Sequence, residues 1–154
     1  MSSRADLLPT EILRSAGLRV TRPRLAVIDA LESAPHSAAD AVISAVRGAG
    51  PISTQAVYDV LNTLTARGVV RRIQPAGSVA RYELRTGDNH HHIVCRGCGD
   101  VTDVDCATGE APCLDLPVTT DVHGFSIDEA EVTWWGRCPA CQSAQNDPAQ
   151  STIT

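Results

Sequence analysis

The chain has 154 residues, enough for one ordinary domain or two small ones. Aromatic residues make up 3%, so any core must be aliphatic, and no run approaches the roughly 20 apolar residues that a membrane span needs. The formal net charge of −5 speaks against a uniformly basic nucleic-acid binder.

The charge is unevenly placed. Residues 1–87 hold 11 arginines against 7 acids, a net of +4, whereas residues 88–154 hold 2 against 11, a net of −9. Such a split suggests a division of labour, with polyanion contact in the first half. No apolar leader stretch precedes the first periodic segment, so a cytoplasmic, reducing setting is expected, with no membrane partner. In that setting the 6 cysteines are metal ligands or redox groups rather than a disulfide framework.

In chain order, Leu7, Leu8, Ile12 and Leu13 predict a short helix that Gly17 stops. Thr21 followed by Pro23 predicts the start of a second helix, Arg22 to Ser33. Ser37 is a candidate cap for a third helix through Val42, Ile43 and Val46. Ser53 caps a fourth, Thr54 to Arg67, with Val57, Val60, Leu61 and Leu64 on one face and Gly68 closing it. Val69–Gln74 and Val79–Leu84 alternate as a hairpin. Helices followed by a hairpin predict an α+β chain whose residues 1–87 form a winged helix-turn-helix.

In that arrangement the fourth helix enters the major groove and offers Thr54, Gln55, Tyr58, Asn62 and Thr63. Arg19, Arg22 and Arg24 would meet phosphates or a narrow minor groove, and Arg71, Arg72 and Arg81 on the wing would add phosphate contacts.

Thr86 to Asn89 reads as a boundary, with a small α/β domain over 88–141. Strands are expected at His91–Cys95, Val101–Asp105 and within Phe125–Trp135. Prolines limit any helix in 106–122, and residues 142–154 read as a disordered tail.

Two clusters carry chemistry. Cys95-x-x-Cys98 and Cys138-x-x-Cys141 can close a tetrahedral sulfur cage, which suits structural Zn²⁺. Cys138-Pro-Ala-Cys141 also looks like a redox pair, but the βαβ context is missing. No His-x-Glu element of a zinc deaminase is present. Cys106 and Cys113 are left as small apolar groups or reactive thiols. In the triplet His90-His91-His92 strand alternation puts His90 and His92 on one face. With Glu83, Asp103 and His36 they form a mixed nitrogen and oxygen set that suits Fe²⁺, Mn²⁺, Zn²⁺ or Ni²⁺, although a triple histidine is also found at solvated strand ends.

The runs GLRVTRPR (17–24), HSAAD (36–40), STQAVYDVLNTL (53–64), ARYE (80–83), HHHIVCRGCG (90–99) and CPAC (138–141) together resemble the ferric uptake regulator family over nearly all of residues 10–141. GSVARYE, GDNHHHIVC and DVDCATGEAPCL are most similar to its actinobacterial branch linked to catalase-peroxidase genes.

The resemblance implies a homodimeric, metal-dependent repressor, not an enzyme, that binds AT-rich inverted repeats. It implies that Cys95, Cys98, Cys138 and Cys141 hold structural zinc. It implies that His36, Glu83, His90, His92 and Asp103 hold regulatory Fe²⁺ or Mn²⁺, and that Arg19 and Tyr58 touch DNA. Aspartate at position 103 is similar to peroxide-sensing relatives, and glutamate at position 83 to iron-sensing ones. Relatives with a third metal site place histidines where this chain has Asn89 and Ala130, so no third site is expected here. A metalloenzyme using the histidine and carboxylate cluster is the remaining alternative, but it leaves the basic first half without a purpose.

Overall fold

The computed structural model describes residues 7–86, 88–107, 123–126 and 131–146. Contacts divide the chain into two compact units, residues 1–87 and 88–154.

In the first unit, α1 (Pro9–Ser15) opens with proline where no amide donor is needed, and Glu11 Oε2 accepts from the Leu8 N–H at 3.1 Å. α2 (Arg22–Ser33) has the predicted limits and Thr21 as its capping residue, though the Thr21 hydroxyl makes no capping bond. The third helix departs from expectation. Ser37 and Ala38 form a short strand, β1, and α3 (Ala39–Gly48) begins after it. The Ser37 hydroxyl donates to the Ala34 carbonyl at 2.7 Å, which closes the turn after α2 and takes that hydroxyl away from any capping role.

α4 (Thr54–Ala66) is capped as predicted, since Ser53 Oγ accepts from the Ala56 N–H at 3.1 Å. It ends at Gly68, whose φ of +63° lets the Val69 N–H reach back to the Leu64 carbonyl at 2.9 Å.

The hairpin is shorter than its alternation suggested. β2 (Arg71–Ile73) and β3 (Arg81–Glu83) each keep three residues, because Val69 and Val70 both turn into the core. β1 and β2 both pair antiparallel with β3, giving a three-stranded sheet in the order β1-β3-β2. Val27, Ile28 and Leu31 of α2, Val42, Ile43 and Val46 of α3, and Val57, Leu61 and Leu64 of α4 are buried in one cluster. This is an aliphatic helical core with a wing.

In the second unit, β4 (His90–Cys95) lies between antiparallel β5 (Val101–Asp105) and parallel β6 (Thr133–Gly136). A final helix, α5 (Pro139–Asn146), runs through residues expected to be disordered from 142 onward. Beyond Pro139 its apolar residues are only Ala140, Cys141 and Ala144, too little bulk for a sequence reading to mark a core-facing helix. Pro139 at its first position starts it, the Gln142 N–H donates to the Cys138 carbonyl at 3.0 Å, and Cys141 anchors its first turn. The rest of the expected tail, 147–154, lies outside the described residues, as do Cys113 and the greater part of 106–122. No helix among the described residues is long and apolar enough to cross a membrane.

Candidate metal centres and nucleic-acid interface

The four-cysteine site is built from two turns. Cys95 ends β4, and the chain reverses through Arg96–Gly99, held by the Gly99 N–H to the Cys95 carbonyl at 2.9 Å. The Arg96 N–H donates to the Gly136 carbonyl at 2.7 Å, which sets this turn beside the residues that lead from β6 into Cys138. The four sulfurs lie within 4.8 Å of one another. Cys98 Sγ and Cys138 Sγ are 3.7 Å apart, close to the edge of about 3.8 Å expected for a sulfur tetrahedron with Zn–S bonds near 2.3 Å. A side chain at Gly97 would place its Cβ 2.7 Å from Cys141 Sγ, so only glycine lets the two turns close.

The electrostatics fit a cation. Cys95 Sγ accepts from the Cys138 N–H at 3.2 Å and the Gly97 N–H at 3.3 Å. The Cys138 amide is the largest cause, followed by that of Cys98, of a Cys95 pKa lowered to about 6. Cys141 moves the other way, to about 12, because the Cys138 sulfur beside it disfavours a second anion. At Cys98 the Asp100 amide pulls downward, but the Cys95 and Cys138 sulfurs outweigh it and the net direction is up. Four sulfurs this close together, arranged around amide donors, suit a closed Zn²⁺ site.

The histidines and carboxylates form two sets, one in each unit. In the first, Glu83 of β3 is buried and its Oε2 lies 2.8 Å from His36 Nε2. His36 sits at φ +58°, a left-handed conformation uncommon for a residue with a side chain. It is held there from the wing, because Arg81 Nη1 donates to the His36 carbonyl at 3.0 Å. Arg71 Nε lies 4.0 Å from Glu83 Oε1. Arg71 and Arg81, expected to face phosphates, are thus half-buried and turned toward this pair, while Arg72 stays exposed beside Gln74.

In the second set, β4 alternation works as predicted. His90 and His92 share a face, their ring centroids 5.0 Å apart. Asp103 on β5 lies opposite His92 in the register, and its Oδ1 is 3.8 Å from His90 Nε2 and 3.5 Å from His92 Nε2. His91 points the other way, edge-on to Trp134 at 5.4 Å. Sequence reasoning missed Asp88, whose Oδ1 is 3.0 Å from His90 Nδ1. An acid two residues before a strand histidine was the available signal. Its contact with one ring nitrogen directs the other toward Asp103, the usual arrangement for orienting a ligating imidazole.

On α4, Gln55, Tyr58 and Asn62 are exposed on one stripe, as predicted. Thr54 is exposed too, but its hydroxyl accepts from Arg47 Nη2 at 2.8 Å, which ties the end of α3 to the start of α4. The Thr63 hydroxyl donates to the Asp59 carbonyl at 2.7 Å, so Thr63 is turned onto its own helix. Arg19 is exposed before α2, and its carbonyl accepts from Arg24 Nη1 at 2.7 Å.

Comparison with known proteins places these features in a family. Residues 15–132 match the model of the ferric uptake regulator family. The "Transcriptional regulator FurA" of Mycobacterium tuberculosis is 61% identical over 142 residues, which span 92% of this chain and 93% of that protein. The "Ferric uptake regulation protein 2" of Mycolicibacterium fortuitum is 54% identical over 94% of this chain and 98% of its own length. Among solved structures, the ferric uptake regulator of Pseudomonas aeruginosa with manganese shares 27% identity at a TM-score of 0.61, covering 86% of this chain and 99% of its own.

Proposed function

The chain belongs to the ferric uptake regulator family, and from that premise we propose that it is a repressor that senses peroxide through Fe²⁺. It is a metal-dependent, DNA-binding transcriptional regulator and not an enzyme. In the proposed reading, Cys95, Cys98, Cys138 and Cys141 hold a permanent zinc. His36 and Glu83 from the first unit, with His90, His92 and Asp103 from the second, act as one regulatory ligand set for Fe²⁺ or Mn²⁺.

One observation supports this most. Among the described residues the buried polar side chains outside the thiol site are His36, Glu83, His90, His91 and His92, and all but His91 stand in imidazole–carboxylate contacts, a nitrogen and oxygen donor set without sulfur. Such sets suit Fe²⁺ and Mn²⁺. Donors drawn from two separately folded units give the metal a grip on both, so occupancy selects the conformers that fit DNA. The DNA-bound form is a homodimer on an AT-rich palindromic operator. Each protomer inserts α4, with Tyr58, Gln55 and Asn62 at base edges, Thr54 at the helix start and Arg19 at the backbone.

Fe²⁺ held there would activate hydrogen peroxide beside an imidazole, with the net result that the O–O bond breaks, one oxygen turns a ring C–H into C–OH and the other leaves as water. His36 or His90, once oxidised at its ring, no longer donates as before, and the DNA-competent conformer loses its support. The genes controlled are a catalase-peroxidase and the regulator itself. A second reading, a sensor of iron, zinc or nickel status without ligand oxidation, is favoured by glutamate rather than aspartate at position 83.

Mass spectrometry of the Fe²⁺-loaded protein before and after dilute peroxide separates the two. Oxygen addition at His36 or His90, together with loss of operator binding, is expected. Unmodified histidines on protein that keeps its DNA would establish the second reading instead.

A further inference from the structure

The exposed stripe of α4 carries a single charge, and that charge is negative. Gln55, Tyr58, Asp59 and Asn62 recur at the three- and four-residue intervals of one helical face, and all four are exposed. Thr54–Ala66 contains no arginine, within a half chain that holds 11 of the 13. A carboxylate gains nothing beside phosphate, so on a helix lying in the major groove it is useful only against a hydrogen-bond donor.

The side chains beside it are ordered to match. Gln55 Nε2 donates to Asp59 Oδ1 at 2.8 Å. The opposite amide orientation would set two acceptors against each other, so the carboxylate decides which end of Gln55 is presented. The pair therefore presents the remaining carboxylate lone pairs and Gln55 Oε1 as acceptors, beside the one Nε2–H that Asp59 does not take, and the carboxylate itself offers acceptors alone. Guanine presents N7 and O6 acceptors in the major groove, and thymine presents O4. Adenine has an amino donor, but its N7 acceptor lies next to it. Cytosine presents N4 donors with no acceptor of its own alongside.

We propose that Asp59 is a specificity-determining residue. Its carboxylate accepts from the N4 amino group of a cytosine in each half-site, with Gln55 held alongside, and it rejects guanine at that position. Resting on the reading of α4 as the DNA-reading helix, this places one C·G pair at a fixed position within an otherwise AT-rich repeat.

The test is selection from a pool of duplexes with a randomised core by the full-length, Mn²⁺-loaded protein, as wild type, Asp59→Asn, Asp59→Ala and Gln55→Ala. Wild type is expected to favour cytosine over guanine roughly tenfold or more at one position per half-site. Asp59→Asn and Asp59→Ala should lose that preference while keeping the rest of the consensus, and Gln55→Ala should weaken it. Identical base preferences in all four proteins, with tighter binding overall once the charge is gone, would overturn the proposal and leave Asp59 as a helix-surface partner of Gln55. Wild-type protein that enriches no sequence would instead overturn the reading of α4, and Asp59 with it.

Discussion

In the first unit Leu13, Ile28, Leu31, Leu61, Leu64 and a set of valines are almost completely buried, and they form one cluster drawn from four helices. Among the described residues of the second unit, the buried apolar side chains are Val94, Cys95 and Val101. The second unit instead closes β4, β6 and α5 through four sulfurs. Burial of a leucine contributes about 1.5–3 kcal/mol whatever the solution holds, whereas a sulfur cage contributes only with its ion bound. One unit is thus stable by composition, and in the proposed reading the other is conditional on metal. The His36–Glu83 pair is mounted on the first kind of support, and His90, His92 and Asp103 on the second.

The largest expected effect comes from the sulfur site. Cys138→Ser, or strong chelation, should unfold the second unit and leave the helices of the first intact, since structural zinc in small sites contributes on the order of 10 kcal/mol. Amide-resolved NMR of the full chain reads both units at once, and a folded, zinc-free second unit would end the comparison. The pH dependence has a definite sign. Cys98 and Cys141 are held above the usual thiol range, so zinc loading must displace their protons, and affinity falls as pH falls. A zinc titration at two pH values measures it.

Leu61→Ala is the mirror experiment. It empties a fully buried position of α4 and should cost about 2–5 kcal/mol in the first unit's denaturation, with zinc content unchanged. Arg81→Ala sharpens the contrast further, because it removes the donor that holds His36 in its left-handed turn. Regulatory Mn²⁺ affinity should fall roughly tenfold or more, as for other groups that orient a ligand, while zinc stays bound. Equal Mn²⁺ affinity in calorimetry would show that His36 keeps its place without the wing. The smallest effect is Ser53→Ala, which removes the α4 cap and should cost about 1 kcal/mol in thermal unfolding of the first unit alone.

Much of this was legible in the residues themselves. Ser53 announced α4 and Arg22–Ser33 had clear ends, because caps and helix breakers act within one turn. The cysteine pairs and the alternation of His90 to His92 were equally local, a matter of two-residue spacing and strand period. The tertiary structure alone decided what depends on distant partners. Ser37 looks like a helix cap, yet it becomes a strand because β3, more than 40 residues away, offers it a ladder. Arg81 looks like a phosphate contact, yet it bonds to His36 for the same reason. α5 has only small apolar residues to announce it, and it is anchored by Cys138 just before it and Cys141 in its first turn, both at the sulfur cage. Local chemistry sets which residues are caps, knuckles and donors. Which of them meet is set by chain closure, since a short strand or polar helix is stable only once its far partner is in place.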